Sequence, residues 1–180
     1  YKPGQENRHL QVAADCTGKD LGGARLLGIH LEGPFISPQR RGMIQPDCLA
    51  GPSLSVLEHI YSLTGDRLKM MTLAPEQPGS LDLIGPLQAR GTIAALGHTQ
   101  ASYDETVRGF EAGIRHVTHL FNAMDGIHHR RVGTALMGLL EEELIVEVIT
   151  DGIHLSPAIV RLIAQTKGPD RTLLISDGMR

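Results

Sequence analysis

The chain has 180 residues, a formal net charge of −3, 41% hydrophobic and 21% charged side chains, which is the make-up of one ordinary folded domain and excludes a disordered polymer. No basic stripe or polybasic tail is present, and no apolar run nears the ~20 residues of a bilayer span, so neither nucleic acid nor membrane is expected as a partner. Two cysteines, Cys16 and Cys48, are too few for a disulfide framework or a cysteine-based metal site and fit a reducing compartment.

In chain order, one unit recurs: an apolar run of strand length, a turn, then an amphipathic stretch of helical period. Ala24–Leu31 reads as the first strand and Ser53–Leu63 as a helix capped by its serine. Leu68–Leu73 is the next strand, followed by a helix over Ser80–Ala89 that ends at Gly91. Thr92–Leu96 and a helix over Ser102–Ala112 come next, then strands at Ile114–Thr118 and Leu144–Ile149. Ser156–Thr166 has serine at the cap, Pro157 at the first helical position and Gly168 beyond its end, and Thr172–Ile175 is the last strand. The order predicts an α/β fold with a parallel sheet. Neither G-x-G-x-x-G nor GxxxxGK[ST] is present, so a nucleotide-binding open sheet is disfavoured.

The strand ends decide between an open sheet and a (β/α)8 barrel. "HLEGP" follows the first strand, "GHT" the third, "THLFNAM" the fourth, "TDGIH" the fifth and "SDG" the sixth. A lone histidine is usually a satisfied buried or loop residue. Five strand ends that each carry an imidazole or a carboxylate are better explained by a barrel, whose active site is built from all its strand ends. One glutamate and two histidines suit a divalent ion such as zinc with an open position for water, and a single ion is expected from so few ligands. Asp177 is placed to move the proton of that water, and His154 to hydrogen-bond a developing oxyanion; together they describe amide hydrolysis. His30 and Glu32 stand two apart and so face one way, Ile29 and Leu31 the other. In "GIHHRRVG", Arg130 suits a phosphate or carboxylate at the mouth of the site, whereas His128, His129 and Arg131 read as a solvated loop.

The words "HLEGPF", "TLAPE", "LGHT", "THLFNAM", "HHR", "TDGIH" and "LISDG", in that order, resemble the N-acetylglucosamine-6-phosphate deacetylases of the amidohydrolase superfamily. The resemblance runs from about Leu27 to Asp177. It implies a TIM-like barrel of metal-dependent hydrolases, with Glu32, His98 and His119 as metal ligands and Asp177 as the catalytic carboxylate. It also implies substrate contacts by Asn122, Ala123, Arg130 (at the phosphate) and His154 (at the acetamide). The implied reaction converts N-acetyl-glucosamine 6-phosphate to glucosamine 6-phosphate and acetate, with zinc most expected and iron, cobalt or manganese as alternatives. Such enzymes are typically cytoplasmic homodimers.

Two departures from the family pattern stand out. Where the family commonly reads Lys-Gly-Ala-His, this chain reads Arg41-Gly42-Met43-Ile44, so the expected substrate-reaching histidine is an isoleucine. That leaves room for a related N-acyl hexosamine phosphate as substrate. The chain is also about half the family's length: residues 1–180 are expected to form a single partial barrel domain of about six βα units, without the first strands and the small β-sandwich. An inactive fragment that only binds or dimerises is the reading from a different class.

Overall fold

A computed structural model describes residues 1–178. Six helices alternate with six strands: α1 (Arg8–Cys16), β1 (Ile29–Glu32), α2 (Leu54–Thr64), β2 (Leu68–Leu73), α3 (Ile84–Ala89), β3 (Ile93–Leu96), α4 (Tyr103–Ala112), β4 (His116–Val117), α5 (Thr134–Leu140), β5 (Ile145–Ile149), α6 (Pro157–Lys167) and β6 (Thr172–Ile175). Serines start three of the helices as expected. Ser53 and Ser156 accept the N–H groups of Val56 and Ile159, and Ser102 forms a reciprocal pair with Glu105. Each bond satisfies a helix-start donor that the helix itself leaves open.

The strands pair in parallel in the order β1-β2-β3-β4-β5-β6. A doubly wound sheet reverses its order at a switch point, and here there is no reversal. Crossovers of one hand then put the helices on one face, and the sheet curls into a half-barrel, part of a (β/α)8 architecture. Among the described residues β1 and β6 are its edges.

Alternation sorts each strand between two environments. Leu31, Met71, Leu73, Leu96, Val117, Val146 and Val148 point outward into one core with Leu57 and Ile60 of α2, Leu87 of α3 and Ile163 of α6. His30, Thr72, Ala95, His116 and Glu147 share the opposite, inner face by register. Gly97 makes that inner layer possible. A Cβ there would lie 2.9 Å from Thr72 Cγ2 and 3.0 Å from Thr118 Cβ. Without one, the hydroxyls of Thr72 and Thr118 meet at 2.7 Å across the end of β3.

The helix expected over Ser80–Ala89 is a 3-10 turn at Leu81–Leu83 that continues into α3, and three further elements differ from the sequence reading. β1 begins at Ile29 rather than Ala24, because its partner β2 begins at Leu68, opposite Ile29; Leu27 is left 77% exposed. β4 is two residues long instead of five, since Ile114 N–H bonds to Gly109 O at the exit of α4. α5 carries no amphipathic signal: Ala135, Met137, Gly138 and Leu139 are all buried, so no polar stripe marks its period.

Candidate metal centre

Glu32 ends β1, His98 follows β3 and His119 follows β4. The two histidines take left-handed backbone conformations, with φ of 47° and 30°. Phe121, Ala123 and Asp177 do the same, so among the described residues five of the six non-glycine residues with positive φ lie just past β3, β4 and β6. Such conformations cost ~1–3 kcal/mol each and persist where side chains must be aimed.

The aim is narrow. His119 Nε2 lies 3.1 Å from Glu32 Oε1 and 3.1 Å from His98 Nε2, and His98 Nε2 lies 3.4 Å from Glu32 Oε2. Ligands bonded at ~2.1 Å around a tetrahedral ion stand roughly 3.4 Å apart, so the three side chains fit a zinc-like cation. His98 Nδ1 is 2.8 Å from the Arg40 carbonyl, which can only accept; Nδ1 therefore holds a proton, and Nε2 is the nitrogen turned toward Glu32 and His119. His119 Nδ1 is buried without a partner among the described residues.

The charges are coupled. Burial pushes the Glu32 carboxyl up, but hydrogen bonds and charge from His119 and His98 outweigh it and hold the carboxyl well below the usual range. Burial pushes His119 down, and the Glu32 carboxylate, helped by Asp177, more than reverses this. The centre is thus an anion facing two imidazoles, a donor set that exchanges protons for a metal ion.

The other expected site residues are placed as follows. Asp177 is exposed and shares an open cavity of ≈ 560 Å³ with His30, Glu32, Glu147, Ile175 and Ser176. Asn122 is half-buried, and its amide donates to the carbonyls of His119 (3.3 Å) and Leu120 (3.4 Å), bracing the ligand turn. The Ala123 carbonyl accepts Thr99 N–H at 3.0 Å, which ties the loops after β3 and β4 together. Arg130 is exposed in its loop and does not line the cavity. His154 is exposed, and its Nδ1 meets Asp151 Oδ2 at 2.7 Å. Ile44 is half-buried; its carbonyl accepts from Arg41 at 2.7 Å.

Sequence reasoning passed over the inner polar layer. His30 Nε2 meets Thr72 Oγ1 at 2.7 Å, and His116 Nε2 meets Glu147 Oε1 at 3.0 Å. His30, expected only to share a face with Glu32, has a threonine hydroxyl as its partner. Glu147 had a signal: it is a carboxylate inside the apolar run "IVEVI".

Comparison with known proteins shows what the chain is similar to. No family model matches the chain. It is 39% identical to the N-acetylglucosamine-6-phosphate deacetylase of Bacillus subtilis (strain 168) over 158 residues, 88% of this chain and 40% of that protein. A mutant N-acetyl-D-glucosamine-6-phosphate deacetylase from Mycobacterium smegmatis, solved in complex with N-acetyl-D-glucosamine-6-phosphate, superposes with a TM-score of 0.88 at 38% identity, over 96% of this chain and 44% of that one.

The chain is homologous to the N-acetylglucosamine-6-phosphate deacetylases.

It spans about two fifths of the length of the curated deacetylases it matches. An N-acetylgalactosamine-6-phosphate deacetylase from Escherichia coli O157:H7 is also similar, at 34% identity over 88% of this chain and 42% of that protein.

Proposed function

We propose that this chain carries the metal-binding and catalytic part of a deacetylase that hydrolyses the acetamide of N-acetyl-glucosamine 6-phosphate to glucosamine 6-phosphate and acetate. The observation that carries the reading is the convergence of Glu32, His98 and His119, whose donor atoms all lie within 4.8 Å of one another, in a chain homologous to such enzymes. These three residues hold a divalent ion, zinc by the mixed nitrogen and oxygen donor set. A bound ion of this kind lowers the pKa of its water from ~15.7 toward ~7. Asp177 takes the proton of the attacking water on a carboxylate oxygen and returns it to the amide nitrogen as the C–N bond breaks. His154, held through Nδ1 by Asp151, presents Nε2 to the acetamide oxygen. Asn122 and Ala123 line the sugar side, and Arg130 receives the phosphate. Residues 1–180 act as one partial barrel domain, supported by a single core that joins α1 to α6. A cytoplasmic homodimer is the setting that goes with this reading.

Acetate release from N-acetyl hexosamines, with and without a 6-phosphate, tests it. Asp177→Asn is expected to lower turnover by ~100-fold or more while metal stays bound; turnover near the parent level sinks the role. The similarity to an N-acetylgalactosamine-6-phosphate deacetylase, together with Ile44, favours one second reading, the galactosamine epimer as substrate. Ile44→His is then expected to lower KM for the glucosamine substrate by roughly fivefold, the worth of one hydrogen bond. An unchanged KM removes Ile44 as a determinant.

A further inference from the structure

Glu147, in the middle of β5, is 5% exposed, and the chemistry proposed above makes no use of it. A buried carboxylate is unfavourable unless every oxygen finds a partner, so its bonds indicate its purpose. Oε1 accepts from His116 Nε2 at 3.0 Å. Oε2 accepts the backbone N–H of His119 at 3.4 Å, and the Glu147 carbonyl accepts the N–H of Leu120 at 2.8 Å. One residue thus holds two successive amides of the turn after β4. That turn needs an outside hold, because β4 is only two residues long and His119 has left-handed backbone. His116 in turn fixes the carboxylate from β4, and His30 Nδ1 stands 3.9 Å away on the cavity side.

We propose that Glu147 is a positioning residue, clamping the 119–120 turn through side chain and main chain so that His119 Nε2 meets Glu32 and His98. The inference rests on the metal reading of those three residues. Outer partners of metal ligands typically change affinity by ~10–100-fold.

The test measures Zn²⁺ and Co²⁺ affinity of the full 180-residue chain by chelator competition, with the visible spectrum of the Co²⁺ form and the melt of the metal-free protein. Glu147→Ala removes the acceptor and is expected to weaken binding by ~10–100-fold and alter the Co²⁺ spectrum. Glu147→Gln keeps an acceptor oxygen in place and is expected to bind within ~3-fold of the parent. A folded alanine variant that binds as tightly as the parent overturns the proposal. If the alanine variant does not fold, Glu147→Asp carries the same decision: it keeps the charge but withdraws the oxygen, so binding must fall, and parental affinity overturns the clamp. A parent chain that takes up neither ion overturns the metal reading itself and the clamp with it. Those two failures are distinguished by the parent's own measurement.

Discussion

At the ends of β3 and β4, His98 and His119 are 5% and 3% exposed, and Glu32 closes the group from β1. At the ends of β5 and β6, Asp151, His154 and Asp177 are all exposed. The contrast continues behind the site. Leu96 of β3 is 1% exposed under its helices, whereas Leu174 is 73% exposed on β6, the last strand in a chain that spans about two fifths of its relatives' length. Ligands for an ion must be fixed to within tenths of an ångström, which takes burial and several bonds per residue. Groups that touch a substrate must be reachable, and a single bond can orient them. In this chain the first wall is the buried one and the second the open one.

The sharpest way to break this comparison is to cut the core behind each wall. Leu96→Ala is expected to destabilise by about 2–5 kcal/mol, since a fully buried leucine leaves a cavity. Leu174→Ala is expected to stay within about 0.5 kcal/mol. Urea melts of both decide it, and equal losses would mean that the walls do not differ in packing. Next in size, Glu32→Ala is expected to lower Zn²⁺ affinity beyond the ~100-fold limit typical of outer partners, read by chelator competition. Affinity within tenfold of the parent would remove Glu32 from the ligand set.

The smallest effect lies on the exposed wall. The backbone N–H groups of His154 and Ile153 and the His154 side chain hold the Asp151 carboxyl down, from 3.8 to about 2. A carboxyl lowered in the folded state contributes fully above its unfolded value and loses that contribution as pH falls through the folded one. The melting difference between parent and Asp151→Asn is thus expected to be constant from pH 5 down to about 3.8 and to vanish by about 2. A difference that grows on acidification would contradict the assignment.

The same division explains what was legible in the sequence. Three helix starts were plain, because Ser53, Ser102 and Ser156 act locally through the next three residues. Glu32, His98 and His119 stood out because a polar residue directly after an apolar run breaks the pattern. Strand lengths were not legible at β1, where pairing depends on where β2 begins, some 40 positions on. α5 was hidden because a helix buried on most sides has no stripe. The Glu147–His116 bond spans 31 positions, and the Arg40 carbonyl that orients His98 belongs to the backbone, where residue identity carries no mark.

Because every strand lies beside its neighbour in sequence, each one leaving the ribosome meets a partner already in place. Glu32, His98 and His119 all lie upstream of residue 120, so the three side chains are at hand once β4 has docked. The clamp from Glu147 arrives one strand later. Assembly would then run from the buried group, through the clamp that sets its geometry, to the exposed groups after β5 and β6, so that the site is finished only as the last described strands arrive.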